Sequence, residues 1–121
     1  MESKKTLVLG ASPNPQRYSN KAVKRLLSYG HEVIAIGKRK SEIEGLTVIT
    51  GKPVIKGVHT ITLYLGPGNQ EEYLDYLISL KPRRIIFNPG TYNHELENMA
   101  AEHGIEVVED CTLVMLDMEE F

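Results

Sequence analysis

A single cysteine, Cys111, stands among 121 residues, and tryptophan is absent. One thiol excludes an intrachain disulfide and a thiolate metal cluster, and it suits a reducing compartment. Neither sign of charge prevails, since 14 Lys and Arg stand against 16 Asp and Glu. With no strong positive excess there is no global attraction to nucleic acid or to an anionic membrane, so any basic site is local. Long apolar runs are missing too. The first, TLVL after MESKK, is too short for a signal peptide or a membrane span. A cytoplasmic protein of one domain, residues 1–121, is expected, with no nucleic-acid or membrane partner. No His or carboxylate spacing resembles a zinc or calcium site. Glycine is scarce where a dinucleotide site demands it. Gly10 closes the first apolar run, yet the second and third glycines of G-x-G-x-x-G are lacking.

What the chain does have is an alternation of two periods. TLVL (6–9), EVIAIG (32–37), TITLYL (60–65), RIIF (84–87) and IEVV (105–108) read as strands, the first as an unbroken apolar run. Leu46 to Ile49 adds a weaker extended piece. Between them, Ala22, Val23, Leu26 and Leu27 recur at helical spacing, as do Tyr73, Leu74, Leu77 and Ile78, and then Leu96, Met99 and Ala100. Gly30 and Gly104 sit where left-handed caps end helices. Asn69 with Glu72 has the spacing of a capping box, and Asp110 is placed to cap a short terminal helix, CTLVMLDM. Strand–helix alternation with short loops implies parallel pairing and right-handed crossovers. The fold class is therefore α/β: a Rossmann-like three-layer sandwich with a parallel sheet of about five strands.

Ligands of such sheets lie beyond the carboxyl ends of the strands, where strand order reverses. The first strand delivers Gly10, Ala11 and Ser12 there, followed by a loop carrying Arg17, Tyr18 and Ser19. A helix beginning after that loop directs free N–H groups and partial positive charge at it, and Arg17 adds a fork suited to phosphate oxygens. The second strand delivers Gly37, Lys38 and Arg39, the third Gly66 and Pro67, the fourth Asn88 and Pro89. NAD sites place a carboxylate after the second strand to grip the ribose hydroxyls. Here that region reads Gly37-Lys38-Arg39-Lys40, which favours a phosphorylated ribose, as in NADP or coenzyme A. The alternative is a solvated basic loop balanced by Glu42 and Glu44.

The stretches VLGASPNPQRYSNKAV, GHEVIAIGKRKSEIEGL, IIFNPGTYNHEL and GIEVVEDCTLVML together resemble the small stand-alone CoA-binding domain family. Its members are similar to the CoA-binding domain of the succinyl-CoA synthetase alpha subunit without the ligase portion. The resemblance runs almost the length of the chain. It implies that Gly10, Ser12, Arg17 and Ser19 line the pyrophosphate and adenosine end of coenzyme A or an acyl-CoA. It also implies that Lys38 stands near the ribose phosphate and that Asn88 and Pro89 border the cleft. This chain departs from the family pattern in having Gly37-Lys38 for an Asn-Pro pair and Gly66-Pro67-Gly68 for an Arg-containing loop. Both departures alter the rim.

Catalytic residues are not expected. His31 and His103 adjoin glycines at helix ends, where the dipole favours them. His59 precedes the third strand on the side away from the ligand. His94 opens a helix at the binding edge, but no Asp or Ser partner is evident. Cys111 is expected to be a buried structural cysteine, against a sharper alternative in which its thiol meets that of CoA. A nucleotide-binding, non-catalytic protein is the leading expectation. An NADP-linked oxidoreductase and a nucleotide-sensing regulatory module are the alternatives. The apolar tail through Met118 and Phe121 leaves a homodimer open.

Overall fold

β-Branched and leucine runs buried on both faces make the centre of this molecule. In the computed structural model, which describes residues 2–121, seven strands and five α-helices follow one another. They are β1 (Thr6–Leu9), α1 (Tyr18–Ser28), β2 (Val33–Ile36), β3 (Ser41–Ile43), β4 (Leu46–Ile49), β5 (Thr60–Leu63), α2 (Pro67–Gln70), α3 (Leu74–Ser79), β6 (Arg84–Phe87), α4 (His94–Glu102), β7 (Glu106–Glu109) and α5 (Thr112–Asp117). A 3-10 turn, Glu71–Tyr73, joins α2 to α3.

The strands form one sheet in the order β3-β4-β2-β1-β5-β6-β7, parallel except for β3, which runs antiparallel to β4. Setting β3 aside, this is the doubly wound order, with its reversal between β1 and β5. Successive residues of β1 serve opposite faces. Leu7 and Leu9 join Ile61, Leu63, Ile85 and Phe87 against Leu74, Leu77 and Leu96 of α3 and α4. Val8, with Ala35, Val48 and Ile86, packs against Val23 and Leu26 of α1 and Met115 and Leu116 of α5. Three layers result, as expected, with α1 and α5 on one side and α3 and α4 on the other.

The sheet has more strands than the sequence suggested. Leu46 to Ile49 is a full parallel strand, and β3 was not foreseen at all. A two-residue loop, Glu44-Gly45, with both φ positive at 46° and 83°, folds β3 back on β4 as a tight hairpin. Two cap assignments are also corrected. Asn69 lies inside α2, whose N-cap is Gly66 with Pro67 at the first turn, and no side chain caps it. Proline at the first helical position needs no N–H partner and sets φ for the helix, so it starts the helix ahead of Asn69. Likewise Cys111, not Asp110, is the N-cap of α5. Asp110 Oδ1 accepts a hydrogen bond from the Cys111 N–H at 2.7 Å, so its carboxylate is used one residue ahead of the helix. Among the described residues no helix is long and apolar enough to cross a membrane.

Candidate functional site

The end of β1 turns sharply because Gly10 has φ of 95°, a conformation that costs glycine little. Its N–H and that of Ala11 both donate to the Ile36 carbonyl, at 2.9 and 3.0 Å, which ties the turn to the end of β2. Gly37 lies directly beneath. A Cβ there would stand 2.4 Å from the Ala11 carbonyl oxygen, so the contact requires glycine. Beyond the turn the loop is ordered by its own short side chains. Ser12 Oγ accepts from the Asn14 N–H, Asn14 Oδ1 accepts from the Gln16 N–H, and the buried Asn20 amide donates to the Ser12 carbonyl at 3.0 Å. Helix α1 then begins with Arg17 as N-cap and no side-chain cap. Its first N–H groups thus carry their partial positive charge toward the loop without a carboxylate in the first turn.

These elements line one open cleft of about 810 Å³. Gly10, Ala11, Ser12, Arg17, Tyr18, Ser19, Lys38, Arg39, Gly66 and Pro89 border it, so ten residues singled out from the sequence come together there. Three do not. Gly37 supports the turn from below and lines a smaller adjoining cavity. Pro67 is exposed at the start of α2 and borders neither cavity. Asn88 lines a neighbouring cavity instead. It is buried, and its side chain is spent inside the protein: Nδ2 donates to Thr62 Oγ1 and the Leu63 carbonyl, and Oδ1 accepts from the Thr112 N–H.

The lining also holds Pro13, Gln16, Tyr64, Leu65, Asn69 and Thr91, which sequence reasoning passed over. A further residue missed was Gln70. It is fully buried at the end of α2, and its amide donates to the Leu65 carbonyl at 2.8 Å and the Thr91 carbonyl at 2.6 Å. Those carbonyls belong to the loops after β5 and β6, so Gln70 staples two walls of the cleft together. Gln70→Met, which keeps the volume but not the donors, is expected to lower the unfolding free energy in urea by about 2 kcal/mol.

Electrostatically the cleft is one-sided. Among the described residues no Asp, Glu or His lines it, and no ion pair engages Arg17, Lys38 or Arg39. The basic loop therefore does not pair with Glu42 or Glu44. Tyr18, 68% exposed, offers an aromatic face at the mouth. The histidines sit elsewhere. His31 is buried at the other end of the sheet, where Nδ1 accepts from the Lys4 N–H at 2.9 Å and burial, then Lys4, lowers its pKa. His59 also lies at the amino end of the sheet, its pKa lowered mainly by burial. His103 caps α4. His94 is exposed on α4 beside Tyr92 and Glu97. Cys111 is half-buried rather than sealed in the core. Among the described residues no group of three or more His, Cys, Asp or Glu is placed to hold a metal ion.

An uncapped helix N-terminus and three cations without ion-pair partners stand at the reversal of a doubly wound sheet, where α/β domains place their ligands. The family described as "CoA binding domain" matches residues 4–117, and the chain belongs to that family. Among solved structures, an uncharacterized protein of 53% identity superposes with a TM-score of 0.97 over 100% of both chains. A hypothetical protein from Pyrococcus horikoshii OT3, 26% identical, gives 0.87 over 97% of this chain and 84% of that one. A dinucleotide-forming acetyl-coenzyme A synthetase from Ca. Korarchaeum cryptofilum, in complex with phosphate and ADP, is 21% identical with a TM-score of 0.72. The match covers 88% of this chain and 25% of the synthetase, and at that identity the likeness is one of fold. No curated protein matches the chain. The residues present fit coenzyme A, which carries a pyrophosphate and a further phosphate on the ribose. Cations without carboxylate partners and unclaimed helix N–H groups are the donors such oxygens need.

Proposed function

We propose that the cleft binds coenzyme A or an acyl-CoA and performs no chemistry of its own. The observation that carries this reading is the grouping of Arg17, Lys38 and Arg39, without a single carboxylate, around an uncapped helix start. Arg17 and the first N–H groups of α1 would hold the pyrophosphate, and Lys38 and Arg39 the ribose 3′-phosphate. The absence of any Asp, Glu or His from the lining supports a binder over an acid–base catalyst. A nucleotide-binding protein with an accessible free thiol is at home in the cytoplasm.

Titration by thermal shift with CoA, dephospho-CoA, NADP and NAD tests it, since a ligand of the folded state raises Tm as it passes its Kd. CoA is expected to bind about tenfold more tightly than dephospho-CoA, a charge-assisted contact contributing roughly 1.5 kcal/mol. Lys38→Ala with Arg39→Ala should abolish that difference while leaving dephospho-CoA unaffected. Tighter binding of NADP than of CoA would overturn the reading.

A further inference from the structure

Beside the main cleft lies a second cavity of about 260 Å³, lined by Tyr18, Tyr64, Asn88, Pro89, Cys111 and Leu113. Tyr18, Tyr64 and Pro89 line both, so the two spaces adjoin. Their chemistry differs sharply. The cleft presents Arg17, Lys38 and Arg39, whereas no charged residue lines the side cavity. Its polar groups are mostly committed. The Asn88 amide has no spare donor, because its hydrogen bonds go to Thr62, Leu63 and Thr112. The Tyr64 hydroxyl is sealed inside the protein beside the Thr62 and Thr112 hydroxyls.

Resting on the CoA reading above, we propose that this side cavity receives the acyl group of a short, uncharged acyl-CoA thioester. The phosphates of such a ligand belong in the cationic cleft, and its apolar end needs a neighbouring space free of charge. Taking about 30 Å³ for a water-sized group, the cavity has room for an acyl chain of a few carbons. A carboxylate-tipped acyl group is disfavoured, because burying it among these walls leaves its charge without a partner. Leu113, which lines this cavity and not the cleft, thus sets acyl specificity.

Calorimetric titration with CoA, butyryl-CoA and succinyl-CoA tests the assignment. Butyryl-CoA is expected to bind at least about tenfold more tightly than CoA, from burial of three carbons at the end of the arm, and succinyl-CoA more weakly than butyryl-CoA. Leu113→Trp, which fills the cavity, should leave CoA affinity unchanged and erase the butyryl preference. A measurement on the unaltered protein guards against a misfolded variant. Cys111 is the one cysteine, and saturating butyryl-CoA should slow its alkylation by N-ethylmaleimide several-fold more than saturating CoA does. Binding of CoA with no acyl preference and equal protection of Cys111 would overturn the cavity's role alone. Failure of every CoA compound to bind would remove both readings.

Discussion

Replacement of Asn88 by alanine is expected to lower the unfolding free energy by about 3 kcal/mol and Tm by roughly 10 °C. One side chain here makes three buried hydrogen bonds to two other elements. Thr62 and Leu63 belong to β5, Thr112 begins α5, and Asn88 itself follows β6. Alanine leaves a buried carbonyl and a buried N–H without these partners, and each such group carries its full desolvation penalty. Asn88→Asp separates charge from shape. It keeps an acceptor for the Thr112 N–H but turns an anionic oxygen toward the Leu63 carbonyl, so the variant's carboxyl would have a raised pKa in the folded state. Its unfolded chain then loses a proton before the folded one does. Stability should therefore fall as pH rises through the carboxylate range, and recover in acid where the protonated acid can donate again. Denaturation at several pH values checks the sign. An Asn88→Ala variant as stable as the parent would show that the network is not coupled to folding.

Gly37→Ala is the second large effect, and it joins stability to ligand binding. The added Cβ would meet the Ala11 carbonyl oxygen at 2.4 Å and Val48 Cγ1 at 3.0 Å. Neither can yield freely, since Ala11 is held by its N–H on Ile36 and Val48 is fully buried in β4. The first turn must rise off β2, at a cost of about 2–3 kcal/mol typical of an overfilled core. Ser12 and the start of α1 move with it, so CoA affinity is expected to fall at least about tenfold, on the order of the 1.4 kcal/mol per decade that such a shift implies. Gly68→Ala is the control, because nothing lies within 4 Å of its Cβ position and its φ is not positive. Melting curves and CoA titrations on both variants decide it. Equal affinities would mean that the turn does not position the ligand.

Much of this architecture could be read from the chain. TLVL and RIIF are strands to the residue, because a parallel strand buried on both faces shows up as a mainly apolar run. The turn after β1 and the cations after β2 followed from where such a sheet places its loops. What escaped was of two kinds. Ser41–Ile43 has three residues, one of them charged, which is too little for any period, and only the turn at Glu44-Gly45 marks it. Asn20, Tyr64 and Gln70 escaped for a different reason. Their partners are backbone carbonyls of other loops, or, for Tyr64, a cavity made by α5, and no local pattern encodes such meetings. The internal hydrogen bonds of Asn88 escaped on the same account, since Thr62 and Thr112 arrive from distant segments.

The position of β1 at the middle of the sheet has a bearing on how the molecule comes together in time. Thr6 pairs with Val33 on one side and with Thr60 on the other. Local helices form early, but the sheet's centre waits on loop closures of many residues, which slows folding compared with an all-helical chain of this size. Until β5 has emerged, β1 carries a row of unanswered N–H and C=O groups on its open edge. A nascent or truncated chain ending before Thr60 is thus a sticky one, prone to recruit strands from its neighbours.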